Sequence, residues 1–216
     1  MKELIMSLNG KGEELANLIR KDNMTIEYVN INKDNAYSIK NYHECDVAFL
    51  IVDYNNLNEV ELAAELLKST VVRYLLKVIT IACNTKSIKD DVYYNSKLIT
   101  YTDDIVSAIE TINTIISDNN LIKTNIDDIL SLGRRNKEFK IIKSTSSNNF
   151  LNFEEDIKES NDCIFYVEAN SLFEIYDVDT IIDMINMKHI GNNDIIFCSR
   201  MLPDKIEEIN IKILAF

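Results

Sequence analysis

No glycine occurs in the segment that joins a predicted buried strand to the helix after it. The apolar run Val47–Val52 predicts a strand of a parallel sheet, and apolar residues at helical spacing beyond it predict the helix. Phosphate-binding joints of this kind use glycines, so that backbone N–H groups can close on the anion at the helix N-terminus. Here the joint is DYNNLNE (53–59), and Asp53, Glu59 and Glu61 would each repel a phosphate by about 1–4 kcal/mol at ~4 Å. The joint therefore argues against ordinary triphosphate binding.

Positive charge and long apolar runs are also lacking. Lys and Arg number 23 against 35 Asp and Glu, a net charge of −12, which disfavours nucleic acids and anionic membrane surfaces as partners. No apolar run reaches the ~20 residues of a membrane span, and Met1–Asn9 lacks the length and flanks of a signal peptide. We therefore expect a cytoplasmic protein without a membrane partner.

Metal-binding patterns are missing as well. None of the four cysteines forms a CxxC pair, and each lies in or beside an apolar run, which favours reduced thiols in the core. His43 and Cys45 could contact a metal, but the chain has only one other histidine, His189, so we predict no metal site. The four cysteines are Cys45, Cys83, Cys163 and Cys198.

Strand-like runs alternate with helical patterns, which indicates an α/β protein with a parallel sheet. The length of 216 residues favours two domains. The apolar stripe over 105–116 predicts a long central helix capped by Thr102 or Asp103. The other elements predicted before it are strands Glu3–Ser7, Thr25–Asn32, Leu75–Ala82 and Lys97–Tyr101, and helix Glu13–Arg20.

A second, smaller α/β domain is predicted to follow Gly133, which is interpreted as a helix end. The last two strands could pair as a hairpin. We predict domain bounds of 1–118, 119–137 for a connecting loop and short helix, and 138–216. The predicted elements of the smaller domain are strand Phe139–Lys143, loop 144–149, helix Leu151–Glu159, strand Asp162–Glu168, helix Val178–Met187, and strands Asp194–Ser199 and Glu208–Phe216.

Six segments occur in an order that resembles the bacterial tubulin homologue FtsZ and its tubulin-like relatives. They are LNGKGEELANLI (8–19), IEYVNINKD (26–34), DVAFLIVD (46–53), LIKTNIDDIL (121–130), CIFYVEANSLFEIYDVDTIIDMI (163–185) and INIKILAF (209–216). The resemblance implies a Rossmann-like nucleotide-binding-type domain with a parallel sheet, a central helix and a smaller α/β C-terminal domain. In that family the loop after DVAFLIVD carries the glycine-rich phosphate signature.

Carried over by position, the resemblance implies vestigial nucleotide contacts and a possible subunit contact. Gly10 and Gly12 have a simple strand-to-helix turn as their alternative, and Asn32 and Asp34 an ordinary turn. Asp128 matches the one catalytic acid that is kept, although an acid in the first turn of a helix needs no catalytic explanation. The implied vestigial contacts are Gly10, Gly12, Asn32, Asp34, Asn55, Asn56 and Asn58, and the implied interface residues are Lys123, Asn125, Asp127 and Asp128.

The resemblance and the altered loops together favour a pseudo-GTPase. We expect a scaffold or filament-associated protein of a bacterial cytoskeletal or cell-division system, which binds a protein partner or itself. No cofactor is expected, since GTP and GDP are disfavoured. One alternative is a self-assembling GTPase in which Asn side chains replace the lost glycine N–H donors. Another is a small-ligand sensor that uses the cleft between domains.

Overall fold

The computed structural model describes residues 1–8, 10–19, 25–32, 34–35, 44–74, 77–85, 99–102, 104–117, 119–136, 138–146, 162–169, 183, 194–203 and 209–216. The chain divides into two compact units. Unit 1 comprises Met1–Glu110 with Gly133–Glu138, and unit 2 comprises Thr111–Leu132 with Phe139–Phe216. The domain bounds drawn from the sequence stay a prediction.

Unit 1 contains a parallel sheet of strands in the order β2-β1-β3-β4-β5. Its helices are α1 (Gly12–Leu18) and α2 (Leu57–Tyr74), and α3 (Ile105–Ile115) begins in unit 1 and ends in unit 2. Because the strands are parallel, their carboxyl ends lie at one edge. The strands are β1 (Lys2–Ser7), β2 (Thr25–Asn30), β3 (Val47–Asp53), β4 (Val78–Cys83) and β5 (Ile99–Tyr101).

The core of unit 1 forms where α2 packs against β3 and its neighbours. Val47–Val52 is almost completely buried, as the apolar run predicts. Leu66 of α2 belongs to the same apolar cluster as Leu4 and Leu50. Since α2 continues to Tyr74, the predicted strand Leu75–Ala82 is too early: β4 pairs with β3 only from Val78 onwards.

Unit 2 contains a mixed sheet in the order β6-β9-β7-β8. The elements are α4 (Ile126–Asn136), β6 (Glu138–Ser146), β7 (Cys163–Ala169), β8 (Ile195–Met201) and β9 (Ile209–Ala215). The end of α4 from Gly133 onwards and the first residue of β6, Glu138, are counted with unit 1. β9 is antiparallel to both β6 and β7, and β8 is parallel to β7. The predicted hairpin of the last two strands is therefore wrong, because β7 lies between them. β7 is nearly continuously buried, which suits a central strand.

Three local predictions are also corrected. Helix α4 runs through Gly133 to Asn136, so this glycine is not a helix end; a glycine inside a helix costs only about 1 kcal/mol. The cap of α3 is Asp104, whose Oδ1 accepts the Ser107 N–H at 3.1 Å, and Thr102 Oγ1 accepts the Asp104 N–H at 3.0 Å. Strand β6 extends to Ser146, because it pairs with β9 along that length. Residues 144–146, predicted as the start of a polar loop, therefore belong to the strand.

Some predictions fall on parts of the chain outside the described residues. These include Asp103, His43, His189 and helix Leu151–Glu159. Helix Val178–Met187 also lies outside, except for Asp183, which is helical. The prediction of reduced core thiols is confirmed, since all four cysteines are free and buried.

Candidate functional site

The loops after β1, β2 and β3 meet at the carboxyl edge of the unit 1 sheet. The strand register places Ser7 beside Asn30 on one side and beside Ile51 on the other. In open parallel sheets this edge is where ligands bind. All the predicted nucleotide contacts lie at this edge, so we call it the strand-end site: residues 7–8, 10–14, 30–32, 34–35 and 53–59.

The loop between β1 and α1 is held by side chains of the chain itself. The Lys11 N–H donates to Ser7 Oγ at 3.2 Å, and the Gly12 N–H donates to Asn30 Oδ1 at 2.9 Å. Gly10 has a φ of 81°, which favours glycine. A Cβ on Gly12 would lie 2.8 Å from Asn30 Oδ1, so this glycine permits a close approach of α1 to β2. Two N–H groups at the start of α1 are thus already used internally.

The loop after β2 is a turn built from asparagines. Asn32 Oδ1 accepts the N–H groups of Asp34 at 2.9 Å and Asn35 at 3.0 Å. In return, Asn35 Oδ1 accepts the Asn32 N–H at 2.8 Å, and its Nδ2 donates to Asn30 O at 2.8 Å. These bonds account for Asn32 as an ordinary turn residue.

Glu59 lies in the first turn of α2 and holds the loop that joins β3 to this helix. The residue is only 8% exposed, although its side chain is a carboxylate. Glu59 Oε2 accepts a hydrogen bond from the Asp53 N–H at 2.9 Å, and Oε1 accepts one from Asn56 Nδ2 at 3.0 Å. A carboxylate of the chain therefore lies among donors at the N-terminus of α2, where an anion is favourable.

Asn55 and Asn56 also form hydrogen bonds within this loop. The Asn55 N–H donates to Asp53 Oδ1 at 3.0 Å. Asn56 caps α2, because its Oδ1 accepts the Asn58 N–H at 3.2 Å. The side chains that would have to replace glycine N–H donors thus hold the loop together instead.

Sequence reasoning missed several members of the strand-end site. Ser7 and Asn30 were not singled out, and nothing in their local pattern marks them, because their role depends on two adjacent strands. For Glu59 a signal existed. Asn56 and Glu59 have the spacing of a capping box, in which the acid turns back toward the start of its own helix.

The charge of the strand-end site is negative. Glu13 and Glu14 lie exposed in the first turn of α1, and Glu61 lies exposed on α2. The pKa of Tyr28 is raised, mainly by the negative charge of Glu13. Any anionic ligand would approach this edge against these charges.

The predicted interface residues lie at the start of α4 in unit 2. Asn125 Oδ1 accepts the N–H groups of Asp127 at 2.7 Å and Asp128 at 3.1 Å. Asp128 Oδ2 accepts the Asn125 N–H at 2.9 Å and the Thr124 hydroxyl at 2.9 Å. This reciprocal arrangement is a capping box, so Asp128 has a structural role whatever else it does. Lys123, by contrast, is exposed.

Two apolar side chains precede this capping box. Leu121 is 69% and Ile122 is 45% exposed. Their backbones are fixed on β8: the Leu121 N–H donates to Ser199 O at 2.8 Å, and the Ser199 N–H donates to Ile122 O at 3.1 Å. Unit 2 therefore presents Leu121, Ile122 and Lys123 together on an ordered segment.

A polar cluster around the buried Tyr166 on the unit 2 sheet, in which Glu168 and Lys212 are half-buried, was also missed. The Tyr166 hydroxyl donates to Glu168 Oε1 at 3.0 Å, and Lys212 Nζ lies 3.7 Å from Glu168 Oε2. Lys212 also lies 5.3 Å from the centroid of the Tyr166 ring. Burial raises the pKa of Tyr166 and lowers that of Lys212. The alternation Tyr166-x-Glu168 puts both on one face, but only the sheet register brings Lys212 there.

Neither metals nor membranes find support in the described part of the chain. No group of three His, Cys, Asp or Glu side chains in it could hold a metal ion. Every helix described there is too short or too polar to cross a lipid bilayer.

The arrangement of a parallel sheet with its loops at the strand ends, followed by a smaller mixed sheet, is the FtsZ/tubulin-like fold. No protein-family model matches the sequence, and a search of curated proteins finds no match. Solved structures do match. The empty FtsZ dimer of M. jannaschii has a TM-score of 0.68 at 8% identity, over 99% of this chain and 87% of that one.

Two further neighbours agree. CetZ from Methanosaeta thermophila has a TM-score of 0.65 at 10% identity, over 100% of this chain and 86% of that one. TubZ from Bacillus thuringiensis serovar israelensis, in GDP-form protofilaments, has a TM-score of 0.64 at 10% identity, over 99% of this chain and 86% of that one. The predicted fold is therefore confirmed, and these likenesses establish the fold alone.

Proposed function

We propose that this chain is a pseudo-GTPase of FtsZ/tubulin-like fold, acting as a scaffold or filament-associated protein in a bacterial cytoskeletal or cell-division system. It binds a protein partner or a second copy of itself, and it needs no GTP or GDP. It acts in the cytoplasm, and neither nucleic acid nor membrane is its partner.

One observation carries the loss of nucleotide binding. Two donors of the loop between β3 and α2, the Asp53 N–H and the Asn56 side-chain amide, are used by Glu59, a buried carboxylate of the chain itself. A triphosphate would have to displace this carboxylate and tolerate Asp53 beside it. Like charges ~4 Å apart cost about 1–4 kcal/mol, so the interaction that should stabilise a phosphate is replaced by one that repels it.

Isothermal titration calorimetry with GTP and with GDP tests this proposal. We expect no binding at the micromolar level, which corresponds to about −8 kcal/mol. A dissociation constant at or below about 1 μM for either nucleotide would refute it. ATP serves as the matched control for weak, non-specific binding.

Self-association is supported by the neighbours and by exposed residues of unit 2. The M. jannaschii FtsZ structure is a dimer, and the TubZ structure consists of protofilaments. By analogy, Leu121–Asp128 of one subunit would meet the strand-end site of the next, near Gly10–Glu14 and Asn55–Glu59. Exposed Leu121, Ile122 and Lys123 would then face an acidic edge with Leu57, which is 76% exposed. Such a head-to-tail contact can propagate.

The second candidate is a self-assembling GTPase. It is favoured by Gly10, which keeps a positive φ, and by Gly12, which keeps a close helix approach. Phosphate release decides between the two. A GTPase whose site is completed by a neighbouring subunit would show turnover that rises more steeply than linearly with protein concentration. We expect turnover equal to that of buffer, because Asp128 is engaged by Thr124 and Asn125.

A further inference from the structure

Three cations and one carboxylate share one face of the unit 2 sheet. Residues that pair directly across neighbouring strands point to the same face. Lys143 of β6 pairs with Lys212 of β9, and Lys212 pairs with Tyr166 of β7. Glu168 lies two residues after Tyr166, so it points to the same face, and it pairs with Arg200 of β8. We call this face the cationic face and define it by Lys143, Tyr166, Glu168, Arg200 and Lys212.

The charges of the cationic face do not balance. Within the bounds of the four strands, Glu168 is the one acid on this face, so two positive charges are in excess. The whole chain, by contrast, has a net charge of −12. Lys143 and Lys212 lie directly opposite each other, and like charges in such a pair destabilise a sheet. The fold gains nothing from this pair, whereas an anion bound between the two ammonium groups would be attracted by both.

No hydrogen bond of the Lys212 ammonium group is found among the described residues. The side chain of Lys212 is 20% exposed and that of Glu168 is 13% exposed, so both are half-buried. Lys212 Nζ lies 3.7 Å from Glu168 Oε2, which is longer than a hydrogen bond. The other oxygen of Glu168 accepts the Tyr166 hydroxyl at 3.0 Å. Because an ammonium group has three donors, Lys212 can still bind a further acceptor.

The neighbours of Lys212 hold it in place and add to the positive charge around it. Its Nζ lies 5.3 Å from the centroid of the Tyr166 ring. Burial lowers the pKa of Lys212, the charge of Glu168 opposes this effect, and Lys143 and Arg200 lower the pKa further. Arg200 is half-buried, and no ion pair of its side chain is found in the described part of the chain. Its guanidinium group, like the two ammonium groups, can donate to phosphate oxygens.

We propose that the cationic face of unit 2 binds a small phosphate dianion, held by Lys143 and Lys212 with Arg200 as a third donor. The excess of two positive charges matches the charge of a phosphate monoester. Glu168 positions Lys212 and does not contact the ligand. The site goes beyond the proposed function, because it belongs to unit 2, whereas the strand-end site belongs to unit 1.

A nuclear magnetic resonance titration of the isotope-labelled native chain with inorganic phosphate tests the proposal. The buffer is weakly basic, so that phosphate is a dianion, and chloride keeps the ionic strength constant. The backbone amide signals of Lys143, Lys212 and Arg200 should shift, with a dissociation constant on the order of 1–10 mM. Saturable shifts confined to residues of unit 1, or no saturable shifts at all, would overturn the proposal.

Two lysines of β6 provide a matched pair of variants. Lys143→Met removes a charge from the cationic face and keeps a long side chain. Lys140→Met makes the same change on the same strand, but Lys140 lies three residues earlier and so points to the opposite face. Both lysines are exposed, so both variants should fold. Lys143→Met should weaken phosphate binding about tenfold, and Lys140→Met should leave it unchanged. Equal binding by the two variants would mean that net charge alone attracts phosphate, and the proposal would then fail.

A change at Glu168 tests the charge balance in the other direction. Glu168→Gln keeps an oxygen that can accept the Tyr166 hydroxyl, and it removes the negative charge that the ligand would face. Phosphate binding should therefore tighten about fivefold. Unchanged or weaker binding by Glu168→Gln would refute the role of the cationic face. GTP binding that leaves the amide signals of the cationic face unshifted would refute the proposed function alone.

Discussion

The hydroxyl of Thr80 is buried at no evident benefit to the fold. The residue is 0% exposed on β4, and its Oγ1 has no hydrogen-bond partner among the described residues. It shares a strand face with Val78 and Ala82, which belong to the apolar cluster packed by α2. An unsatisfied buried hydroxyl costs about 1–3 kcal/mol, whereas a methyl group of the same size costs nothing there. Thr80→Val should therefore raise the free energy of unfolding by about 1 kcal/mol.

The same substitution at another buried threonine should have the opposite sign. Thr124 is 5% exposed, but its hydroxyl donates to Asp128 Oδ2 at 2.9 Å. Hydrogen bonds to charged groups contribute about 1.5–3 kcal/mol, so Thr124→Val should lower the free energy of unfolding by about 2 kcal/mol. The two variants should thus differ by about 3 kcal/mol, although each replaces one hydroxyl by one methyl group.

Urea unfolding followed by far-ultraviolet circular dichroism measures both effects, since the chain has no tryptophan to report by fluorescence. Native-state hydrogen exchange then assigns each change to unit 1 or unit 2. If Thr80→Val destabilises the protein by more than about 0.5 kcal/mol, the hydroxyl has a partner and the argument from burial is wrong.

Three further predictions follow from other parts of the chain. Burial raises the pKa of the Cys163 and Cys198 thiols to about 12, so between pH 9 and 12 the unfolded chain loses thiol protons that the folded chain keeps. Stability should fall with pH in that window by up to about 1.4 kcal/mol per unit for each thiol, and Cys163→Ala with Cys198→Ala should flatten the slope seen in urea melts. Asp128→Ala removes half of a capping box and should cost about 1–2 kcal/mol in stability, while GTP turnover stays at background in both the native chain and the variant. Phosphate release above background in the native chain that Asp128→Ala abolishes would show that the acid is catalytic. Lys123→Glu should weaken any self-association that sedimentation velocity detects, most strongly at low salt because exposed charges are screened beyond ~8 Å at physiological ionic strength; a stable dimer indifferent to both salt and Lys123→Glu would place the contact on another surface.

Local patterns predicted most of unit 1, because a parallel sheet with helices on its faces has long apolar runs that periodicity detects. The run Val47–Val52 is such a case. The order of strands in unit 2 was not predictable in this way. Whether β8 pairs with β7 or with β9 depends on contacts between distant segments, and the apolar patterns of β8 and β9 are compatible with either. The prediction of a helix end at Gly133 was wrong for a related reason. The burial of this residue within α4 outweighs the low helix propensity of glycine.

The strand-end site was predicted in position but not in detail. The acids and asparagines of 53–59 were recognised as unsuited to phosphate, and the sequence suggested repulsion. The structure adds that Glu59 itself accepts hydrogen bonds from the Asp53 N–H and the Asn56 amide. This interaction depends on the path of the chain from Asp53 to Asn56. The roles of Ser7 and Asn30 could not have been predicted from the sequence. Each accepts a hydrogen bond from a backbone N–H group at the start of α1, and only the fold brings these groups together.

In the unit 2 sheet β9 lies between β6 and β7, and this position affects how the chain folds. β6 and β7 come earlier in the sequence, yet each pairs with β9 rather than with the other. Until β9 arrives, both strands have an unpaired edge, and unpaired edges recruit foreign strands. The sheet of unit 2 can therefore form only after β9 is available, which slows folding and leaves apolar strands exposed until then. During synthesis, this half of the chain should be the one that most needs a chaperone.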